Sequence, residues 1–483
     1  MSSPRDKYEL VVGLEVHAQL STKTKAYCND STEYGTSPNT QTSPITLGHP
    51  GTLPKSNSKV IEYAVKMGIA CGSKIRERNE YSRKNYFYPD LPKGYQITQD
   101  TTPICNGGVI IVKNDSGDTK AINITRIHME EDAGKSIHEL DPFSSLVDLN
   151  RAGVALIEIV SEPDIRSSNE AYQFLAEVRK LVRYLDICDG NLEEGSLRCD
   201  ANISVMLKGS KTFGNRTEVK NMNSLRNVKR AIEYEMDRQI DILENGGVVE
   251  QQTRSFNANT GTTSLMRSKE DANDYRYFPE PDLQPVLVSE EYVDKVKKLL
   301  PPLPKELFRK FTSEYGLSEY DTNVIIEEKD IALYFNELCK HTKNYKAAAN
   351  FVNGNVKSYL NENAIEMSQF SISTKRLAQL IQLVDDGKVS NSVATQKIFG
   401  ELLGNDISAE EIAMKNNWIQ ESNTDALQSF VEEAIAKYPE KVLEYKAGKK
   451  GLIGFFMGEV MKLSKGKADP KIANQLVREV LEK

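Results

Sequence analysis

The alternation of apolar and polar residues predicts half-buried strands in the first part of the chain. In Leu10–Leu20 every second residue is apolar, which is the period of a strand with one buried face. The same alternation recurs in Ser196–Leu207, and Arg216–Lys220 continues it with charged residues on one face. Val154–Val160 is apolar on both faces apart from Glu158, which predicts a central strand. The charged faces of mixed sign indicate a sheet with one functional surface.

Helical periodicity appears between and after these strands. Ser167–Leu185 has apolar residues at the helical spacing and begins with Ser167 and Glu170, which predict a capping box. Leu225–Leu243 repeats this spacing and is followed by two glycines, which end helices. From about residue 290 the pattern is helical to the end, with a cluster of prolines at 301–304 and a break at 404–408.

Two groups of polar residues are candidates for chemistry. Glu15 and His17 are two residues apart on the first strand, so their side chains point the same way. The stretch 127–136 places His128, Glu130, Glu131 and Asp132 within five positions. Carboxylates at that density repel one another unless a cation lies among them, and Mg²⁺ prefers oxygen ligands. The alternative for this stretch is a solvated acidic turn.

The end of this stretch, Ala133 to Ser136, looks like the end of a phosphate-binding loop. That motif requires a glycine where this chain has Met129, so any nucleotide is bound in another way. Aromatic and basic residues alternate in Arg83–Gln99 and include Lys84, Tyr86 and Tyr88. Such a surface can stack on a base and neutralise phosphate, although a proline-punctuated loop with buried aromatics has the same composition.

Length and composition narrow the function further. The chain has 483 residues, enough for two or three domains, and its net charge of −7 predicts that any RNA binding is local. The segment 441–471 holds eight lysines and three acids, and is the best local basic surface.

The six cysteines form no C-x-x-C pair, which favours free thiols in a reducing cytosol. No signal peptide and no membrane-spanning run is predicted, so we expect a cytoplasmic protein.

Six motifs in order resemble the B subunits of the tRNA-dependent amidotransferase GatCAB, and the resemblance covers essentially the whole chain. They are V-G-L-E-V-H (12–17), R-K-N-Y-F-Y-P-D (83–90), H-M-E-E-D-A-G-K-S (128–136), L-I-E-I-V-S-E-P-D (156–164), E-E-G-S-L-R-C-D-A-N-I-S (193–204) and D-Y-R-Y-F-P-E-P-D (274–282).

The resemblance implies an α+β fold in three parts. We expect a mixed-sheet cradle with the kinase and amidotransferase site at 1–292, an all-α helical domain at 293–405, and a small YqeY-like helical tail that binds tRNA at 406–483. It also implies a ligase that forms a carbon–nitrogen bond with glutamine as amido donor. The B subunit phosphorylates the side-chain carboxylate of Glu-tRNA(Gln) or Asp-tRNA(Asn) with ATP and Mg²⁺. Ammonia from the glutaminase A subunit then gives Gln-tRNA(Gln) or Asn-tRNA(Asn), and a C subunit completes the heterotrimer.

The resemblance also assigns roles to the candidate residues. Magnesium ligands and catalytic residues are expected at Glu15, His17, Glu130 and Glu131. Substrate and nucleotide contacts are expected at Lys84, Tyr86, Tyr88, Lys135, Arg198, Asp200, Glu218 and Lys220. The alternative for Asp200 and Glu218, together with Glu193 on the same polar sheet, is that they hold a second ion or a water. Two rival interpretations are a metal-dependent phosphohydrolase or nuclease built on the same carboxylates, and an RNA-binding scaffold that uses the basic tail.

One motif of the family is incomplete in this chain. Some members carry a four-cysteine zinc site after the first strand, whereas here Cys28 is accompanied by Asp30, Ser43 and Thr46. One thiolate does not hold a structural zinc, so we expect none. The chain also lacks the glycine- and serine-rich amidase signature, so it is not expected to hydrolyse glutamine alone.

Overall fold

The computed structural model describes residues 3–137, 140–141, 143–268, 275–420, 424–464 and 467–482. Asp274 of the last family motif and Lys465 of the basic segment lie outside the described residues. The chain divides into two compact units, at residues 1–303 and 304–483.

Strands are confined to the first unit in the described part of the chain. In chain order they are β1 (Tyr8–Gln19), β2 (Lys74–Ile75), β3 (Arg78–Asn79), β4 (Ser82–Asn85), β5 (Tyr95–Thr98), β6 (Cys105–Asn106), β7 (Val109–Lys113), β8 (Thr119–Glu131), β9 (Lys135–Ile137), β10 (Leu146–Asp148), β11 (Ala155–Ser161), β12 (Leu197–Leu207), β13 (Thr217–Lys220), β14 (Gln252–Asn257), β15 (Thr262–Ser268), β16 (Phe278–Pro279) and β17 (Val286–Leu287).

The main sheet has the order β15-β14-β13-β12-β1-β11-β8-β6-β2, and β7 also pairs with β8. Neighbouring strands are antiparallel except β13 and β14, so the sheet is mixed, as the α+β class requires. β1 lies at its centre between β11 and β12. The apolar face of β1, from Leu10 to Ala18, belongs to the large core of this unit. The opposite face is therefore left for polar residues.

The helices of the first unit are α1 (Ser58–Cys71), α2 (Ser168–Tyr184), α3 (Leu225–Glu244) and α4 (Glu290–Lys298). α2 and α3 pack on each other, α2 packs on β7, and α3 packs on β12. Their apolar stripes, which include Phe174 and Ile232, are fully buried in the same core. Helices therefore cover one face of the main sheet.

Of the two hydrogen bonds in the capping box predicted at the start of α2, the structure has one and lacks the other. Ser167 accepts a hydrogen bond from the backbone N–H of Glu170, as an N-cap residue does. The carboxylate of Glu170, however, accepts hydrogen bonds from the backbone of Arg166 and from Nζ of Lys120. A lysine on the neighbouring β8 competes for this carboxylate, which the local sequence does not reveal.

The second unit contains only helices in its described residues, which confirms the helical pattern of this half. They are α5 (Pro304–Arg309), α6 (Glu319–Ile326), α7 (Lys329–Leu338), α8 (Tyr345–Phe351), α9 (Lys357–Asn363), α10 (Thr374–Asp385), α11 (Asn391–Val393), α12 (Phe399–Gly404), α13 (Ala409–Lys415), α14 (Thr424–Ala436), α15 (Pro439–Lys446), α16 (Ile453–Leu463) and α17 (Pro470–Glu482), with short 3₁₀ and π-helical turns between some of them.

Helices α14 to α17 share a hydrophobic cluster of their own, which includes Leu427, Phe456 and Val477. α13 instead packs against α10. The cap predicted for the last helix is confirmed, because Oδ1 of Asp469 accepts hydrogen bonds from the backbone of Lys471 and Ile472. The division of this unit near residue 405 stays a prediction. Among the described residues, no helix is long and apolar enough to cross a membrane.

Candidate active site

The candidate site is built on a row of side chains that crosses the centre of the main sheet. Glu158 of β11 is paired in register with His17 of β1 on one side and with His128 of β8 on the other. Across β1, Arg198 of β12 is paired with His17. Residues directly opposite on neighbouring strands point to the same face, so these four side chains form one continuous polar row.

Short contacts hold the middle of this row together. Oε2 of Glu158 lies 3.4 Å from Nε2 of His17 and 3.3 Å from Nε2 of His128. Burial by itself raises the pKa of Glu158, but the two imidazoles outweigh it and hold this pKa well below its usual range. Burial lowers the pKa of His128, yet Glu158 and Glu130 raise it to about 9. Glu158 is therefore an anion at neutral pH.

Glu130 completes a first group of potential metal ligands. It lies on β8, where its Oε1 accepts a hydrogen bond of 2.6 Å from Thr98 and its Oε2 one of 3.1 Å from Gln96. Potential ligand atoms of His17, Glu130 and Glu158 all lie within 4.8 Å of one another. Two carboxylates and one imidazole at this spacing can bind a divalent cation. We call these three residues the first cluster.

A second cluster consists of Glu15, Asp200 and Glu218, whose potential ligand atoms also lie within 4.8 Å of one another. Glu15 of β1 is paired in register with Asp200 of β12. Nζ of Lys220 contacts Asp200 and lies 2.8 Å from Oε1 of Glu218. Burial and the neighbouring carboxylates raise the pKa of Glu15. A cation bound here would relieve that repulsion.

His17 and Glu130 of the first cluster and Asp200 of the second line a cleft of about 590 Å³, which we call the central cleft. The acids Glu193 and Glu194 and the amides of Asn221 and Asn223 also line it. The predicted site residues that line it are His17, Lys84, Tyr86, Glu130, Arg198, Asp200 and Lys220.

An aromatic wall stands beside these polar groups. The ring of Tyr86 lies 5.7 Å from that of Tyr275, and Nζ of Lys84 lies 5.2 Å from the Tyr275 ring. Burial lowers the pKa of Lys84, but Glu130 and other neighbours raise it above its ordinary value. Lys84 therefore remains a cation and can contact an anionic ligand.

The structure does not bring Glu131 into either cluster, although the sequence grouped it with Glu15, His17 and Glu130. Consecutive residues of a strand point to opposite faces, so Glu131 points away from Glu130. There its Oε1 contacts Nζ of Lys93 and accepts a hydrogen bond of 2.8 Å from the backbone N–H of Ile97.

Of the other predicted residues, Glu15 and Glu218 belong to the second cluster but are not among the residues that line the central cleft. Tyr88 and Lys135 lie outside both the clusters and this cleft. Tyr88 is 54% exposed on its loop. Lys135 lies on β9 and, with Asp148 and Arg151, lines a neighbouring cleft. Their predicted roles in binding substrate are not supported by a position at the central cleft, and they stay predictions.

The sequence assigns no specific role to two residues that the structure places at the site, Glu158 and Asp132. Glu158 was noticed only as the exception in an apolar strand, and a lone acid in a central strand is the signal that identifies it. Asp132 is buried at the end of β8, where its Oδ2 accepts hydrogen bonds from Gln19 at 2.6 Å and Arg198 at 2.9 Å. No local pattern distinguishes Asp132 from its acidic neighbours.

The residues at the zinc-site positions lie together, but their donors do not suit zinc. Sγ of Cys28 lies 3.4 Å from Oγ1 of Thr46, which donates a hydrogen bond of 2.5 Å to Oδ2 of Asp30. The same Oδ2 accepts a hydrogen bond of 2.8 Å from the backbone of Ser43. Structural zinc is held by four thiolate or imidazole ligands, and this group offers one thiol. Hydrogen bonds therefore link the two parts of the loop around Asp30 and Thr46.

Comparisons with known proteins agree with this arrangement. Residues 10–294 match the model of the GatB/GatE catalytic domain, and residues 333–481 match that of the GatB domain. The B subunit of the aspartyl/glutamyl-tRNA(Asn/Gln) amidotransferase from Syntrophotalea carbinolica is 48% identical over 475 residues, which cover 98% of this chain and 99% of that protein. The proteins of the same name from Myxococcus xanthus and Caldicellulosiruptor bescii are 48% and 47% identical, over 99% of this chain in each case.

The mixed sheet with its carboxylate and histidine clusters, together with the first of these matches, places the chain in the GatB/GatE class of catalytic domains. Within this class, the chain belongs to the family of aspartyl/glutamyl-tRNA(Asn/Gln) amidotransferase B subunits, which its relatives match over nearly their whole length.

Proposed function

We propose that this chain is the B subunit of a tRNA-dependent amidotransferase, and that its central cleft activates the side-chain carboxylate of Glu-tRNA(Gln) or Asp-tRNA(Asn) with ATP. The observation that carries the proposal is the pair of carboxylate clusters on the polar face of the sheet. Members of both clusters, His17, Glu130 and Asp200, line the central cleft together with the cations Lys84, Arg198 and Lys220. Phosphoryl transfer needs positioning and charge neutralisation more than covalent help, and this cleft offers both kinds of group.

In the proposed reaction, the γ-phosphorus of ATP forms a bond to an oxygen of the substrate carboxylate. Its bond to the bridging oxygen breaks, and ADP leaves with that oxygen. The resulting acyl phosphate has a good leaving group. Ammonia, released from glutamine by the A subunit, attacks the carbonyl carbon, and inorganic phosphate leaves as the amide forms. Lys84 and Arg198 are suited to bind phosphate oxygens, because both remain cationic and line the cleft.

The donor atoms of both clusters fit Mg²⁺, since five of the six residues offer carboxylate oxygen. His17, Glu130 and Glu158 would hold one ion, and Glu15, Asp200 and Glu218 a second. Bound there, Mg²⁺ would neutralise charge that develops on the phosphate oxygens. Thr98 and Gln96 orient Glu130 through their hydrogen bonds, and Lys220 balances the charge of Asp200 and Glu218. Glu131 has no place in this ligand set, because it pairs with Lys93.

We further propose a heterotrimer with glutaminase A and C subunits, a tail that contacts tRNA, and no structural zinc. Lys446 and Lys450 are exposed in the described part of the basic segment and are suited to phosphate contacts. All six cysteines are free, which supports a protein that acts in the cytoplasm, where amino acids are attached to tRNA.

The test reconstitutes the chain with its A and C partners, ATP, Mg²⁺, glutamine and Glu-tRNA(Gln) or Asp-tRNA(Asn). We expect ADP and amidated tRNA in equal amounts, and only when the mischarged tRNA is present. ATP hydrolysis by the chain alone, without charged tRNA, would favour the phosphohydrolase interpretation. Tight tRNA binding without any ADP would favour the RNA-binding scaffold.

A further inference from the structure

Asp132 is a buried carboxylate that lies outside both clusters and contacts Arg198 of the central cleft. Its side chain is 5% exposed, and its Oδ2 accepts hydrogen bonds from Nε2 of Gln19 at 2.6 Å and from Nη2 of Arg198 at 2.9 Å. Nε of Arg151 lies 3.7 Å from the same oxygen. Oδ1 accepts a hydrogen bond of 3.0 Å from the backbone N–H of Ala133. Both carboxylate oxygens are therefore engaged, and Asp132 belongs to neither cluster of potential metal ligands.

The backbone of Asp132 is held as firmly as its side chain. Its N–H donates a hydrogen bond of 2.8 Å to Val154, and its carbonyl accepts one of 2.8 Å from Gly153. Asp132 is thus a carboxylate fixed through both its backbone and its side chain at the wall of the central cleft.

Arg198 is the residue that this anion restrains. Its side chain is 34% exposed and lines the central cleft, where β12 pairs it in register with His17. Among the described residues, Asp132 is the only hydrogen-bond and ion-pair partner of its guanidinium. A guanidinium has five N–H donors, so most of those of Arg198 remain available to a ligand in the cleft.

Without this restraint, Arg198 would have competing partners. Asp200 is two residues from Arg198 on the same face of β12, and Glu130 lines the same cleft, although neither forms an ion pair with Arg198 among the described residues. An ion pair with either residue would occupy a carboxylate that the proposed function requires as a metal ligand. The contact with Asp132 keeps the guanidinium away from both clusters while it stays at the cleft.

We infer that Asp132 is a positioning residue, which holds Arg198 beside the first cluster so that its free N–H groups bind a phosphate oxygen of the nucleotide. This inference rests on the proposed function. It assigns the catalytic contact to Arg198 and gives Asp132 a role only through Arg198. A planar guanidinium suits this arrangement, because one edge binds the carboxylate and another remains for phosphate.

The test is a double-mutant cycle in the reconstituted heterotrimer, with tRNA-dependent formation of ADP as the measured rate. Asp132→Asn keeps the shape of the side chain, and we expect kcat to fall on the order of 10- to 100-fold, as for other groups that orient catalytic residues. Arg198→Ala should cost at least as much. Asp132→Asn added to Arg198→Ala should cost less than about twofold more, because Asp132 acts through Arg198. Independent, multiplicative losses would overturn the inference.

Two further measurements separate positioning from other roles. The Mg²⁺ concentration for half-maximal rate should stay the same in Asp132→Asn, and a rise of tenfold or more would make Asp132 a metal ligand instead. Glu235→Gln is the structural control, since Glu235 is fully buried against Arg238 outside the central cleft. It should lower the melting temperature and leave kcat unchanged. A similar drop in melting temperature with unchanged kcat in Asp132→Asn would mean a purely structural role.

Arg198→Lys keeps the inference testable if Asp132→Asn does not fold. A lysine ammonium is a single point of charge and does not present two separate edges, so we expect most of the loss seen in Arg198→Ala. Wild-type kcat in Arg198→Lys would contradict the inference. Failure of the proposed function would appear differently, because the wild-type complex would then form no tRNA-dependent ADP.

Discussion

Glu158 faces His17 across the two central strands of the sheet, and Oε2 of the acid lies 3.4 Å from Nε2 of the imidazole. His128 lies on the other side of the same carboxylate, at 3.3 Å. The two imidazoles offset the cost of burying this carboxylate. Glu158 also belongs to the first cluster of potential metal ligands.

Glu158→Gln should therefore reduce tRNA-dependent ADP formation by roughly 100-fold or more, because the first cluster loses a charged ligand. The amide has the same shape, so the fold should persist. The rate and the melting temperature are measured together in the reconstituted complex. Glu162→Gln, which follows the same strand and bonds to Thr125, is the matched control and should keep the wild-type rate. Equal losses in the two variants would refute a special role for Glu158.

Asp200→Asn should raise the Mg²⁺ concentration needed for half-maximal rate by about tenfold or more, since the second cluster loses one of its three carboxylates. The rate at saturating Mg²⁺ should recover in part. A Mg²⁺ titration of ADP formation measures both effects. Asp118→Asn, in an exposed turn, should leave the titration unchanged. A titration of Asp200→Asn that matches wild type would remove the second cluster from the proposal.

The group at Cys28 should keep its loop folded without zinc. Elemental analysis should find far less than one zinc per chain, and a chelator should leave the melting temperature unchanged. Asp30→Ala should destabilise the first unit by roughly 1–3 kcal/mol, because Thr46 and the Ser43 backbone lose a charged acceptor. Glu33→Ala, at an exposed neighbour, is the control. Stoichiometric zinc, or no loss of stability in Asp30→Ala, would contradict this account.

The tail is expected to contribute to tRNA affinity. Because α13 packs against α10, a chain that ends at Gln420 is a cleaner truncation than one that ends near residue 405. The truncated chain should still bind ATP and assemble with its A and C partners, but the complex should bind tRNA more weakly. Removal of each phosphate contact should reduce the slope of log affinity against log salt by about 0.7–0.9.

The full-length variant with Lys446→Glu and Lys450→Glu tests the same contacts without truncation, because both lysines are exposed. It should lower tRNA affinity and reduce the salt slope in the same direction. Lys59→Glu, at an exposed lysine of α1, is the control for a general charge effect. Identical affinities and slopes for all variants would move the tRNA surface away from the tail.

The thiols should differ in reactivity in the folded chain. Burial raises the pKa of Cys71 and, with smaller effects of neighbours, that of Cys188 to about 12, so both remain protonated at pH 8. Cys28 also has a raised pKa, but it is the cysteine that is partly exposed. A maleimide at pH 8 should label Cys28 first and the others only after denaturation. Cys28→Ser is the control, and rapid labelling of the native variant would disprove the burial pattern.

The sequence by itself determined the local elements and which side chains share a face. The two-residue period of β1 placed Glu15 and His17 together, and the helical spacing located α2 and α3, all of which the structure confirms. These properties depend on residues a few positions apart, so they can be derived from local spacing. The same period also turns Glu130 and Glu131 to opposite faces of β8, which separates Glu131 from the first cluster.

Tertiary structure decided which faces meet. Nothing in the segment around Glu158 indicates that β11 pairs with both β1 and β8, in the register that sets the acid between His17 and His128. The contact of Asp132 with Arg198 joins residues 66 positions apart. A shift of one residue in either pairing would turn these side chains to opposite faces. Register between distant strands is fixed by the packing of the whole core, and for this reason only the folded chain defines the two clusters.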